Sequence, residues 1–201
     1  MPFKKYEDPP NSGPIRQGEI LSNIWELRPA HPTSEIEKEA SIRVDPLVHP
    51  YLLVLTQDCD LMYDYKARFE NEGNKQPGSG SDRDHPSTVP HILFCELYEE
   101  GDIRNRIHGG DIWRRIRQDQ DERFHRLFSA PIGEAKSVGL PDLYLDFKKI
   151  FSLPTENLYE AINLSKVGRV AVIPPIHLHD LIHRFFAFHS RVAVPEEEKE
   201  E

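Results

Sequence analysis

His49-Pro50-Tyr51-Leu52-Leu53-Val54-Leu55-Thr56-Gln57-Asp58-Cys59-Asp60 is the stretch on which the fold turns. From Tyr51 to Thr56 it is a nearly unbroken apolar run of β-formers, which suits a strand buried on both faces at the centre of a small barrel. The run passes straight into Gln57-Asp58-Cys59-Asp60, so the sequence predicts a polar cluster at a strand end. Upstream, Ile15 to Leu27 alternates in part and stops at Arg28-Pro29, a second strand. Ser41-Ile42-Arg43-Val44 reads as a short strand after a polar loop. Downstream, His91–Tyr98, Arg123–Phe128, Asp142–Phe147 continuing through Leu153, and Val167–Ile173 complete the strands.

Two helical segments accompany them. Ile103–Gln120 is Arg-rich and broken by Gly109-Gly110, with Asp111 placed as a helix cap. The second starts at Pro174-Pro175 and carries Leu178, Leu181, Ile182, Phe185, Phe186 and Phe188 on a broad apolar face that should dock on the strands. Strands dominate and no βαβ rhythm appears, so the expected class is α+β: a small β-barrel with a helical insertion and a C-terminal amphipathic helix. The expected organisation is a flexible arm over 1–14, a single barrel domain over 15–195 with a mobile loop at 70–91, and an acidic disordered tail at 196–201.

Composition narrows the function. The 201 residues are 38% hydrophobic and 29% charged, with 25 Lys plus Arg against 34 Asp plus Glu, a formal charge of −9. That balance argues against broad coating of nucleic acid, which needs a basic footprint. No run approaches the length of a membrane helix, and the opening MPFKKYEDPP lacks the apolar core of a signal peptide, so the expectation is a cytoplasmic protein without a membrane partner. Two cysteines, Cys59 and Cys95, cannot build an all-thiolate zinc site or a disulfide framework.

Ile15-Arg16-Gln17-Gly18-Glu19-Ile20, followed after a loop by His49 to Gln57, resembles the opening of the MazF/PemK toxin family. The resemblance implies an SH3-like barrel, and an endoribonuclease of a toxin–antitoxin system that is usually dimeric. Gln57 to Asp60, Arg123 to His125, Asp146-Phe147 and Arg191 to Pro195 resemble the corresponding motifs of a group of uncharacterised bacterial proteins. The chain departs from the toxin pattern at two points. His49 stands where the family's catalytic arginine precedes the proline, and Cys95-Glu96-Leu97 stands where its third strand offers Thr or Ser.

Four groups of side chains invite a chemical reading. In an extended strand Asp58 and Asp60 share a side, where two carboxylates can bind a divalent metal or split their pKa values for acid–base work; alternatively they cap a turn. Cys59 is a nucleophile only if a base such as His125 lies beside it, and otherwise packs as a small hydrophobe. Ile103–Arg126 holds seven Arg against four acids, among them Arg114, Arg115 and Arg117, which suit phosphate contacts or pair with the protein's own carboxylates. His179 and His183 have a zinc-compatible spacing but lack a third ligand, so no metal is expected.

The sequence therefore predicts a bacterial barrel of the toxin–antitoxin or phage-defence type that binds RNA or DNA in a groove lined by His49, Arg28, Asp58, Asp60 and the Arg-rich segment. Any cleavage needs no metal or cofactor, with His49, Asp58, Asp60 and His125 as the catalytic set. The competing expectation is a non-enzymatic interaction module, binding a protein partner or a second copy of itself.

Overall fold

A computed structural model describes residues 5–29, 44–70, 86–129 and 139–191. Six strands form one antiparallel sheet: β1 (Glu19–Pro29), β2 (Val44–Val54), β3 (His91–Glu99), β4 (Phe124–Leu127), β5 (Leu143–Pro154) and β6 (Gly168–Val172), in the spatial order β4-β5-β3-β2-β1-β6. Around it lie α1 (Asp58–Tyr65, extended by a π-helical turn over Lys66–Glu70), α2 (Glu100–Arg104), α3 (Gly110–Arg117), α4 (Thr155–Asn163) and α5 (Pro175–His189). The α+β class expected from the sequence holds.

Among the described residues β4 and β6 do not pair, so the sheet is not closed into a barrel by its hydrogen bonds. Side chains span the seam instead. Leu181 and Phe185 of α5 pack in one cluster with Leu127 of β4 and Ala171 of β6. Tyr6 joins that cluster, Glu7 pairs with Val172, and the Tyr6 hydroxyl donates to the Phe128 carbonyl at 2.8 Å. Tyr6 is 5% exposed, so this part of the segment expected as a flexible arm is docked. The segments 71–85 and 192–201, which carry most of the expected mobile loop and the whole acidic tail, lie outside the described residues, as do 30–43.

The sheet has two covered faces. On the α5 face lie Ile20, Leu53, Leu97, Leu145 and Phe147. On the other, Leu21, Leu52, Ile92 and Phe94 pack against Leu61 of α1 and against Leu158 and Tyr159 of α4. At the far end of β3 and β5 that second face is covered by α2 and α3, through Ile103 and Ile116 on Tyr98, Phe124 and Tyr144.

Three expectations need correcting. Gln57 to Asp60 is not a strand end: α1 begins at Asp58, whose carboxylate and that of Asp60 sit in the first turn, favourable against the helix dipole. The described residues form five α-helices where two helical segments were expected: α1 and α4 were not expected, and the Arg-rich segment forms both α2 and α3. The cap of α3 is Gly109, at φ +128, a conformation glycine tolerates, and Asp111 falls inside the first turn.

Candidate functional site

Strand alternation breaks within β1, and that break shapes the site. Leu21 and Ile24 are three apart yet lie in the same buried cluster, so side chains switch faces between them. The switch is at Asn23, at φ +58 in the left-handed region, opposite Pro50 in the register. It brings Glu26 and His49 onto the α4 face, where Glu96, opposite Leu52, also lies.

There His49 is enclosed, with its side chain 1% exposed. Its Nε2 is 2.9 Å from Glu26 Oε2, its Nδ1 is 3.0 Å from Glu96 Oε1, and its ring stacks on Phe151 at 4.7 Å. Arg28 donates to Glu26 at 2.8 Å, and the Tyr98 hydroxyl donates to Glu96 through a short hydrogen bond. The Arg106 guanidinium lies over the Tyr98 ring, 4.3 Å from its centre. One chain of contacts thus runs Arg28–Glu26–His49–Glu96–Tyr98–Arg106, in the gap between the α4 cover and the α2–α3 cover.

Each member's ionisation follows from its neighbours. Burial disfavours the His49 imidazolium, but the hydrogen bonds to Glu96 and Glu26 outweigh it and raise its pKa above the ordinary 6.5. Burial likewise works against charge on Glu26 and Glu96. Arg28 and His49 overcome it for Glu26, His49 and Tyr98 for Glu96, and both carboxylates titrate below the ordinary 4.5. Burial, then the bond to Glu96, pushes the Tyr98 hydroxyl up. Arg28 and Arg106 flank the chain as guanidinium cations, and the two carboxylates between them favour the charged form of His49. Glu26 also lines a cleft of about 890 Å³ bounded by Trp25 and Leu27 of β1, the end of β5, α4 and residues 165–167.

The other expected site residues lie elsewhere, in separate networks. Asp58 accepts from Arg16 Nη2 at 2.7 Å and from the Gln17 N–H at 2.6 Å, which ties the chain before β1 to α1. In a helix Asp58 and Asp60, two residues apart, point to nearly opposite sides, and Asp60 is exposed. Cys59 is exposed beside Gln57 and Asp60. His125 pairs with Leu145 on the α5 face, opposite to the face of His49. Its Nδ1 accepts from Arg184 at 2.6 Å, and burial, with the nearby guanidinium, holds its pKa below 6.5. Among the described contacts His49, Asp58, Asp60 and His125 therefore share no hydrogen-bonding network.

The arginines divide too. Arg28 belongs to the His49 chain. Arg115 pairs with Asp121 at 2.8 Å, Arg114 with Asp111 at 3.3 Å, and Arg117 is exposed on α3. His179 and His183 stack at 6.5 Å, and among the described residues no three His, Cys, Asp or Glu side chains are placed to hold a metal ion.

Sequence reasoning did not find Glu26 or Tyr98, met Arg106 only as one of the seven arginines of Ile103–Arg126, and met Glu96 only as a departure from a family pattern. One signal was present: in Cys95-Glu96-Leu97 a charge stands between two buried residues of a central strand, where it needs a partner. No family model matches this chain, and no curated protein matches it.

Proposed function

We propose that this protein binds a phosphodiester chain in the gap that holds the His49 network, as a diverged SH3-like barrel of the MazF/PemK type from a bacterial toxin–antitoxin or phage-defence setting. The observation that carries the reading is the pairing of two arginines, Arg28 and Arg106, at the two ends of a His–carboxylate chain lodged between two helical covers. Guanidinium groups suit bidentate contact with phosphate. His49, enclosed behind its partners, acts as a positioning residue that keeps Glu26 and Glu96 ionised. Glu96 keeps an exposed margin of 20% and is the group suited to accept a ribose 2′-hydroxyl proton.

The test measures binding of labelled single-stranded RNA and DNA by wild type, Arg28→Ala and Arg106→Ala across a salt series. Each phosphate contact contributes about 0.7 to the slope of log K against log salt for single strands. Each variant should flatten the slope by about that amount, and cleavage of RNA should fall with Glu96→Gln. Slopes unchanged by both arginine variants refute the reading. One feature favours the interaction module instead: Trp25, Leu27, Val44 and Val48 are 56, 67, 48 and 41% exposed on one end of the β1–β2 ribbon.

A further inference from the structure

His125 stands apart from the His49 network, on the other face of the sheet, and its bonding leaves one ring nitrogen over. A guanidinium only donates, so the Nδ1 that meets Arg184 Nη1 at 2.6 Å carries the lone pair and the proton sits on Nε2. The Asp119 carboxylate is farther from Nδ1, at 3.4 Å. Arg184 is itself held in place. Its Nη1 also donates to Asp119 Oδ2 at 2.7 Å, and its Nη2 donates to the carbonyls of Asp121 at 2.8 Å and Phe124 at 3.1 Å. The imidazole lies nearly parallel to the Phe147 ring, with centres 6.5 Å apart. Tautomer and orientation are therefore both fixed. Among the described residues the Nε2–H has no hydrogen-bond partner, although His125 is only 7% exposed. A buried donor without an acceptor costs roughly 1–3 kcal/mol, so this one calls for an acceptor.

His125 lines a cavity of about 340 Å³ walled by Tyr6, Leu127, Phe128 and Ile173, with the exposed Lys5 and Asp180 also bordering it. That volume is at the lower end of small-molecule pockets, which run from about 300 to 1,000 Å³, and suits a body of one ring. The Tyr6 hydroxyl is taken by the Phe128 carbonyl, so Tyr6 offers its ring alone. Lys5 Nζ lies 5.3 Å from the centre of the Phe128 ring. The first turn of α5, which contains no acid, supplies His177 to the same wall and brings the positive end of the helix dipole there. Asp119 borders the cavity too, but its charge is matched by Arg184 and its Oδ1 accepts from the Arg126 N–H at 2.9 Å. Both the Nε2–H of His125 and the Lys5 ammonium are pure donors. The polar end of an occupant must therefore accept from both and favour positive surroundings, as a carboxylate does, while its body must be apolar. Asp180 opposes that charge.

We propose that this cavity binds a small organic carboxylate with an apolar, single-ring body, whose oxygens accept from His125 Nε2–H and from Lys5. The site is separate from the His49 gap and holds whether or not that gap binds nucleic acid.

Benzoate and its uncharged counterpart benzamide serve as probes, titrated into the full chain with its histidine ring nitrogens isotopically labelled and followed by NMR. Benzoate should saturate with a Kd of about 1 mM or below, moving the ring signals of His125 and leaving those of His49 in place. Benzamide should bind several-fold more weakly. Two exposed positions supply variants of opposite sign that leave the core untouched. Lys5→Met should weaken benzoate binding by about 2–5-fold and Asp180→Asn should strengthen it by about the same factor, the range for exposed ion pairs. His125→Phe keeps a ring against Phe147 and leaves Arg184 its bonds to Asp119, Asp121 and Phe124. It should weaken benzoate by about tenfold or more, as a lost hydrogen bond to a charged group does. The proposal is overturned by benzamide binding as tightly as benzoate, or by Lys5→Met and Asp180→Asn changing the affinity in the same direction or leaving it unchanged. Absence of saturation by about 10 mM, well above a millimolar Kd, overturns it as well and leaves the cavity to solvent.

Discussion

Replacing His49 by Gln removes the imidazole that bridges two carboxylates. Glu26 and Glu96 are 19 and 20% exposed, so neither is fully hydrated, and both lose their bond to the ring at 2.9 and 3.0 Å. Breaking a buried pair by removing one partner costs roughly 3–5 kcal/mol. The carboxylates keep a margin of water, and Gln can satisfy one of them, so the lower part of that range, about 3 kcal/mol, is expected. Loss of the stacking on Phe151 is included in this figure.

The sign with pH follows from the shifts. A histidine whose pKa rises on folding contributes its full stability below its unfolded value of 6.5, and that contribution is lost as pH rises through the raised folded value. The two glutamates have lowered values, so their contribution is present above 4.5 and is lost as pH falls through the folded values. Urea unfolding of wild type and His49→Gln at pH 5.5, 7 and 9 isolates the effect, because every other histidine is common to both chains. The difference should be largest at pH 5.5 and shrink by pH 9. A difference below about 1 kcal/mol, or one that grows with pH, refutes the account of His49 as an enclosed imidazolium between two carboxylates.

Two further outcomes concern the scaffold. Tyr6→Ala should lower stability by about 3–4 kcal/mol in the same urea assay, the range for a truncated core aromatic, whereas Tyr6→Phe, which loses only the bond to the Phe128 carbonyl, should cost about 1 kcal/mol. Gly18→Ala should cost about 1–2 kcal/mol and lower the Tm by about 2–8 °C, because Gly18 sits at φ +76 and a Cβ there meets Leu178 Cδ1 at 2.8 Å.

The strands were legible because β-branched and aromatic runs bounded by Gly, Pro and Asp carry a period-two signal, as in His91–Glu99 and Leu143–Pro154. The terminal helix was legible from Pro175 and from Leu181 and Phe185 four apart. Helix α4 left a readable trace, since Thr155, Leu158, Tyr159 and Ile162 follow helical spacing, but nine residues between two strands are easily taken as a loop. Helix α1 is harder. Its one buried apolar residue is Leu61, its other buried side chain is Asp64, and Asp64 is held by Arg68 in the following π-helical turn at 2.8 Å. Polar pairing, not an apolar stripe, seats it. The site was half legible: the chain shows that His49 precedes the central strand, but its partners Glu26 and Glu96 come from strands 23 residues before and 47 after it. Only pairing register joins them.

That register depends on Asn23. An L residue at φ +58 costs roughly 1–2 kcal/mol, least for Asn and most for a β-branched side chain. Asn23 offsets part of this by donating from Nδ2 to the Lys166 carbonyl at 2.8 Å, on the exposed surface. Its left-handed turn, opposite Pro50, reverses the facing of both strands, so that Glu26 and His49 point to the covered gap instead of the α5 face. Asn23→Val should therefore cost roughly 2–3 kcal/mol, combining the backbone penalty with the lost bond, and should remove the pH signature that His49 confers. Asn23→Gly keeps the backbone conformation, so it should preserve that signature and cost less than about 1 kcal/mol. If Asn23→Val unfolds at the wild-type urea midpoint with the His49 signature intact, the left-handed residue is incidental, and the meeting of Glu26, His49 and Glu96 needs another cause.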